Sequence, residues 1–473
     1  MSRSQQAPPV AAQRGAEAVE RGDEDGDRAC FDFLHRARVQ FGQLRESLTT
    51  ERVVTYRKLS ALALTTHGEG GIVIKGNPDT DAMEVGKLYT ADAKPAKGWI
   101  FDGWEGDVIS NSKRVSFVME EGASLRAVFV ENPYDELATV YRGLIRAEPL
   151  AHATSGVAKL ALTKSGAFTA KLTIGGKKLV LKGAFDGTGS FLGKIKASRT
   201  QSYDVTLMLD TSTPDAPVSG LIFDGTTAMA LNAWPTTKFD RIAGAPQAGG
   251  YTVAVEPGTT AGAPVGYGTG HMKVSKTGTV AIAVRLANGT GVTSASAITA
   301  GNRVPVYAAM DKARSSFSAP LVFADKPDSD ADGNAFWSSA REQSAKYPFA
   351  PFTSEPRLFA QRYTAPAKNE RALTALDTNS GAATLMLDDG TTPLTQSLTL
   401  GTDNSLTLGS PLLNGFKMTL APKTGDFSGS LLLPANGKRA TFFGVLLEKS
   451  GEGVGLLLGA DAEMAITLEA SGP

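Results

Sequence analysis

The 473-residue sequence contains a single cysteine, Cys30, and four histidines, His35, His67, His152 and His271, each standing alone. One thiol excludes an intrachain disulfide framework and a thiolate metal centre. Isolated imidazoles supply too few donors for a zinc site, and no HExxH pair occurs. An excess of one charge is missing too, because 48 basic and 48 acidic residues cancel. No basic block stands out, which argues against nucleic acid, whose phosphates demand a cationic face. No stretch reaches the ~20 apolar residues of a membrane-crossing helix, so no transmembrane segment is expected. A recognisable signal peptide is also missing at the first residues. The nearest approach is "YRKLSALALTTHG", Tyr56 to Gly68. It reads either as a leader behind a misassigned start site or, preferably, as a short buried segment. Its apolar core falls below the ~7 residues that a leader's hydrophobic region requires.

What the chain has in quantity is turn and strand material. It carries 51 glycines and 24 prolines, with 42% hydrophobic and 7% aromatic residues. That mixture supplies packed cores and favours many short strands joined by turns. The length suits three or four domains. Residues 1–30, centred on "GAEAVERGDEDGDR", read as a disordered charged tail. In "CFDFLHRARVQFGQLRESL" the residues Phe31, Leu34, Phe41, Leu44 and Leu48 recur at three-, four- and seven-residue steps. This spacing predicts an amphipathic helix within a helix-and-linker region over 31–64. From about Thr65 the pattern switches to the alternation of strands, as in "GGIVIKG", "KRVSFVME" and "ASLRAVFVE".

The order "GGIVIKG…GKLYTADAKPAKGWIFDGWEGDVISNSKRVSFVMEEGASLRAVFV" resembles the divergent internalin B-type repeat of bacterial surface and secreted proteins. The resemblance rests on the corner Pro95, Gly98, Trp99 and Phe101, on Gly103-Trp104-Glu105-Gly106, and on the closing run Leu125-Arg126-Ala127-Val128-Phe129. It covers residues 66–131 and implies a small β-module, over 66–132, used as a spacer or adhesive repeat in exported proteins. It implies no catalytic residues. The tail "GFKMTLAPKTGDFSGSLLLPANGKRATFFGVLLEKSGEGVGLLLG" resembles the C-terminal β-units of large exported proteins of Verrucomicrobia-like and Planctomycetes-like bacteria. That resemblance implies a setting rather than an activity.

Beyond Tyr134 the chain repeats itself. Lys-Ser/Thr-Gly at Lys164, Lys276 and Lys423 is followed two residues after its glycine by Phe or Val. A Gly-Gly or Asn-Gly pair then follows at 175–176, 288–289 and 436–437. Each segment therefore reads as a tight turn, a strand and a hairpin turn. Candidate first strands at Tyr141, Tyr251 and Tyr363 divide the region into β-units at 134–245, 250–356 and 360–473, with the register of the third left open. Each unit suits a sandwich or a barrel, or the strands merge into fewer, larger barrels.

Two stretches suggest chemistry. Asp328, Asp330, Asp332 and Gly333 satisfy the D-x-D-x-D-G opening of a calcium loop. The twelfth position, however, is Ser339 rather than a bidentate Glu, so a solvated acidic hairpin loop is the competing reading. "GWIFDGWEGDV", Gly98 to Val108, sets Trp99 and Trp104 beside Asp102, Glu105 and Asp107. It suits either a sugar platform with an acid nearby or a β-corner with rings plugging a thin core and acids facing water. The plug is preferred. "GYGTGH" at Gly266–His271 lacks the spacing of a phosphate cradle, and "NGT" at Asn288 reads as a hairpin turn before a glycosylation site.

The expectation is an all-β chain: a multi-unit β-sandwich/β-barrel array with a small β-repeat domain and a short N-terminal helical/disordered region. The expected function is non-catalytic, structural, adhesive or binding, at the cell envelope or outside the cell. A protein or glycan surface partner is expected, with no cofactor other than calcium at Asp328, Asp330 and Asp332. The rival is a secreted carbohydrate-binding or carbohydrate-active protein that uses exposed aromatics, with Trp234 and Trp337 near the acidic loop.

Overall fold

A computed structural model describes residues 33–38, 49–54, 56–344, 347–459 and 463–471. The charged tail and most of the expected helix lie outside these residues. Where the helix region is described, Phe33–Arg38 runs as a strand antiparallel to Thr49–Val54, with Phe33 opposite Val54. The partner "TTERVV" is rich in β-branched residues, which favour a ladder over a helix. The described residues divide into two compact units. One ends at Lys94 and adds Gly103–Val128; the other joins Pro95–Asp102 to everything from Phe129 onward.

The first unit is built from short strands. Ala63–His67 pairs in parallel with Ser124–Val128, and Leu88–Asp92 pairs antiparallel with Arg114–Val118. Strict alternation in Arg114–Val118 sends Val115 and Phe117 into a core with Met83, Ala91, Met119 and Leu125. The segment Tyr56–Gly68 is not the buried one its sequence suggests. Leu62 is its only buried residue, because Ala63–His67 is an edge strand with one neighbour.

The second unit contains three sheets of one design. The first has eight strands, from Val140–Arg146 to Ala228–Pro235, each paired antiparallel with a chain neighbour. Its first and last strands also pair, with Tyr141 opposite Pro235. The meander thereby curls into a barrel that opens only between Lys177–Ala184 and Ser190–Lys196. The second sheet closes the same way, with Tyr251 of Gly249–Val255 opposite Arg362 of Arg357–Arg362. It reaches ten strands because the long strand Ser315–Lys326 splits its partners. Its first part pairs with Phe336–Ser339 and its last part with Ser329–Asn334. The third sheet, eight strands from Ala382–Asp388 to Glu463–Ala470, closes through Ala383 opposite Ala470. All three interiors are filled, by Phe168 and Leu207, by Val306 and Trp337, and by Phe427 and Phe442. A barrel of about eight strands has room for side chains and little else.

The repeated signature has a structural meaning. Gly166, Gly278 and Gly425 all turn the chain at φ 77°, 77° and 79°. The residues two places on, Phe168, Val280 and Phe427, are all buried. In the first two sheets this turn joins the second strand to the third. In the third sheet it lies between Lys417–Ala421 and Asp426–Leu432, past the opening. Tyr141 and Tyr251 begin their sheets as expected, each hydroxyl donating to a carbonyl four residues back, Leu137 and Gln247. Tyr363 does not. The stretch 363–367 forms no strand, since Pro366 removes a ladder donor, and the third sheet starts at Ala382.

Closure needs close approach. An ideal Cβ on Gly143 would stand 1.8 Å from the Asn232 carbonyl oxygen. Only glycine lets the first and last strands of that barrel meet so tightly at this position.

Candidate functional site

The three carboxylates of the expected calcium loop lie in and beside a strand, Ser329–Asn334, and not in a loop. Pairing of Asp332 with Val322 and of Ala331 with Phe323 extends the hairpin through the acidic run. The period of two sends Asp328, Asp330 and Asp332 to one face, where they meet the chain's own cations. Arg357 Nη1 donates to Asp328 at 2.6 Å, and its Nη2 to Asp332 at 2.9 Å. Lys326 Nζ reaches Asp332 at 2.8 Å, and Lys449 Nζ reaches Asp330 at 2.7 Å. Asp330 also accepts the Arg362 backbone N–H at 2.6 Å. The hydrogen bond from Arg357 holds the Asp328 carboxyl below the usual carboxylate range. Lys449 does the same to Asp325. Ser339 lies in a different strand and is bonded to the Tyr347 hydroxyl. Among the described residues no group of three or more His, Cys, Asp or Glu is placed to hold a metal ion.

This ladder joins the second sheet to the third. Gln361, fully buried, donates to the Asp328 carbonyl at 2.9 Å and to Ser450 at 3.0 Å, and accepts from the Lys449 backbone at 2.7 Å. Nearby, His271 Nε2 lies 2.8 Å from the Asp426 carboxylate, a hydrogen bond that raises the imidazole pKa. Glu463 accepts the backbone N–H groups of Val265 and Gly266 at 2.9 and 3.4 Å. Burial still pushes its carboxyl up to about 7. The "GYGTGH" stretch is thus a strand entry held by an acid from the third sheet. Asn288 is buried and donates to the Tyr347 hydroxyl, as a turn residue packed inward would.

The tryptophans resolve individually. Trp104 is 2% exposed, and its indole donates to the Ser112 carbonyl at 2.9 Å. It is the expected plug. Trp99 to Asp102, by contrast, cluster with the second unit: Ile100 joins the first barrel's core, and Phe101 meets Phe129 edge-on at 6.0 Å. The acids of this corner do not simply face water. Asp102 accepts the Gly187 N–H at 2.7 Å, Asp107 accepts the Ser124 N–H at 2.7 Å, and Glu105 pairs with Arg126 at 3.5 Å. Short turns leave backbone donors exposed, and aspartate is the nearest acceptor. Trp337 is 1% exposed and edge-on to Phe352. Trp234 is half-buried on the outside of the first barrel, with the Arg303 guanidinium 4.0 Å above its ring. It lines a crevice of about 250 Å³ with Leu144, Arg146, Pro305 and Val322.

No curated protein matches the chain. Among solved structures it is similar to isotype 1 transferrin binding protein B from serogroup B Neisseria meningitidis. That match has 9% identity over 80% of this chain and 88% of the other, with a TM-score of 0.17. It is also similar to a double mutant of the vaccine antigen transferrin binding protein B from Haemophilus parasuis Hp5. There the identity is 9% over 96% and 97% of the two chains, with a TM-score of 0.18. The family comparison is specific to one segment: residues 62–133 match the divergent InlB B-repeat domain.

Proposed function

We propose that the protein is a non-catalytic binding or adhesive protein of the bacterial cell envelope or extracellular space. The divergent InlB B-repeat over 62–133 carries this reading. The three barrels favour it as well, because filled interiors leave the outer faces and loops as the surfaces that meet a protein or glycan. The carbohydrate reading draws less support. Trp104 and Trp337 are buried, and Trp234 already carries a guanidinium on its ring.

The test is localisation in the source bacterium. Intact cells treated with a non-penetrating protease should lose the protein, or the culture medium should contain it. Recovery only in the cytosolic fraction, protected from protease, overturns the proposal.

A further inference from the structure

Three cations stand directly opposite one another on the outer face of the first barrel. The strand register sets Arg142 against Lys159 and Lys159 against Lys171. Burial alternates along the three strands, so Tyr141, Leu160 and Ala170 point inward and the three cations outward. Directly opposed residues have Cβ atoms about 4.5–5.5 Å apart, and like charges in that relation are destabilising. None of the three is ion-paired with any described residue, and Arg142 makes no hydrogen bond with one. The Arg142 Nε is buried without a partner. Burial draws the guanidinium pKa down, with no acidic neighbour to offset it. The chain has as many acids as bases, yet none has been placed here.

The strip forms one wall of a cavity of about 300 Å³. The facing wall comes from the second barrel and brings Ser294 and Tyr307, while Thr173 adds a hydroxyl from the first. No Asp or Glu lines the cavity. The Ser294 hydroxyl accepts the Tyr307 N–H at 3.3 Å, and the Tyr307 hydroxyl accepts the Gly176 N–H at 3.2 Å. Both hydroxyls are thus engaged as acceptors and keep their own protons to donate. Cations without counter-ions, facing hydroxyls with free protons, form the complement of a compact oxyanion.

We propose that this cavity binds a tetrahedral oxyanion, phosphate or sulfate, either free or as the ester group of a small ligand. The anion sits between Lys159, Lys171 and the Arg142 fork, takes hydrogen bonds from the facing hydroxyls, and relieves the repulsion along the strip. This inference is independent of where the protein resides.

The experiment uses the full chain in buffers of matched ionic strength, by titration calorimetry and thermal unfolding. The probes are inorganic phosphate, inorganic sulfate, glucose 6-phosphate and glucose 6-sulfate, with chloride as reference. Saturable binding and a raised unfolding temperature are expected with at least one oxyanion. Equal affinity for free ion and ester identifies the free ion as sufficient; tighter ester binding identifies an ester ligand. Arg142→Gln and Lys171→Gln should each weaken binding about tenfold or more, the loss of one charge-assisted contact. In chloride alone, Lys171→Gln should unfold at the wild-type temperature or above it, which separates lost binding from lost folding. The proposal is overturned by the absence of saturable binding with every probe, or by undiminished affinity in both variants. It is equally overturned by a Lys171→Gln variant that unfolds earlier in chloride, since the strip would then need no anion.

Discussion

Replacing Gly143 by alanine should damage the first barrel at its closing seam. Gly143 pairs on one side with Ala158 and on the other with Ala233. The added Cβ would lie 1.8 Å from the Asn232 oxygen, 2.5 Å from its carbonyl carbon and 2.6 Å from the Ala233 Cα. Every one of these atoms is backbone, so no side chain can swing aside. Ordinary contact for carbon is about 3.5 Å, and the strands must separate by more than ~1 Å to reach it. Such a shift stretches ladder hydrogen bonds beyond useful length. Overpacking costs about 1–3 kcal/mol, and each lost bond adds about 0.5–1.5 kcal/mol. The smaller conformational freedom of alanine in the unfolded chain offsets only about 0.4–1 kcal/mol. A net loss of about 2–3 kcal/mol follows, a fall of roughly 5–15 °C in Tm for a unit of this size. Hydrogen exchange should localise the damage to Val140–Arg146 and Ala228–Pro235. The control is Gly291→Ala, at an exposed strand position whose Cβ would meet nothing within 4 Å. It should be neutral or slightly stabilising. If Gly143→Ala were as harmless as Gly291→Ala, the close-approach account of barrel closure would be refuted.

The acidic strand and the junction of the second and third barrels yield two further tests. Excess calcium against chelator should leave the unfolding temperature unchanged, whereas Arg357→Ala should cost about 2 kcal/mol by stripping charged hydrogen bonds from Asp328 and Asp332. A calcium-dependent rise would overturn the charge-ladder reading. Stability should also fall as pH rises from about 5 to 8. His271, raised by its bond to Asp426, contributes fully below its ordinary pKa of about 6.5 and loses that contribution as pH passes its folded value. Glu463, raised to about 7 by burial, makes the folded state hold a proton that the unfolded chain releases near 4.5, so it acts in the same direction. A Glu463→Gln, His271→Asn double variant should flatten the profile in a melting series, and a wild-type stability that climbs over this range would contradict both assignments.

The local grammar of the barrels was legible in the residues. A glycine that must take positive φ, a buried ring or valine two places later and a hairpin pair further on recur at Phe168, Val280 and Phe427 because each is a short-range requirement. Closure was not legible, since the pairing of Tyr141 with Pro235 depends on the summed lengths of six intervening strands and their turns. The placement of the acidic run depends on register in the same way. Alternating aspartates have the composition of a loop, and only the register against Val322 and Phe323 makes them a strand with Arg357 and Lys449 as partners. Arg142, Lys159 and Lys171 are ordinary surface cations in the sequence. Register alone sets them side by side. Trp99 and Trp104 look equivalent in one short corner, yet they fall to different units because the boundary passes between Asp102 and Gly103.

In every barrel the incoming and outgoing strands lie side by side with their outer ends together: Tyr141 by Pro235, Tyr251 by Arg362, Ala383 by Ala470. Tension applied along the chain therefore falls on the terminal hydrogen bonds of that seam first. The bonds part in succession and not all at once, as in unzipping. Each opened barrel then lengthens the chain by about 3.3–3.6 Å for every residue released. A protein anchored at one end and held at the other would yield in steps, absorbing a pull that a rigid rod would pass on to its anchor.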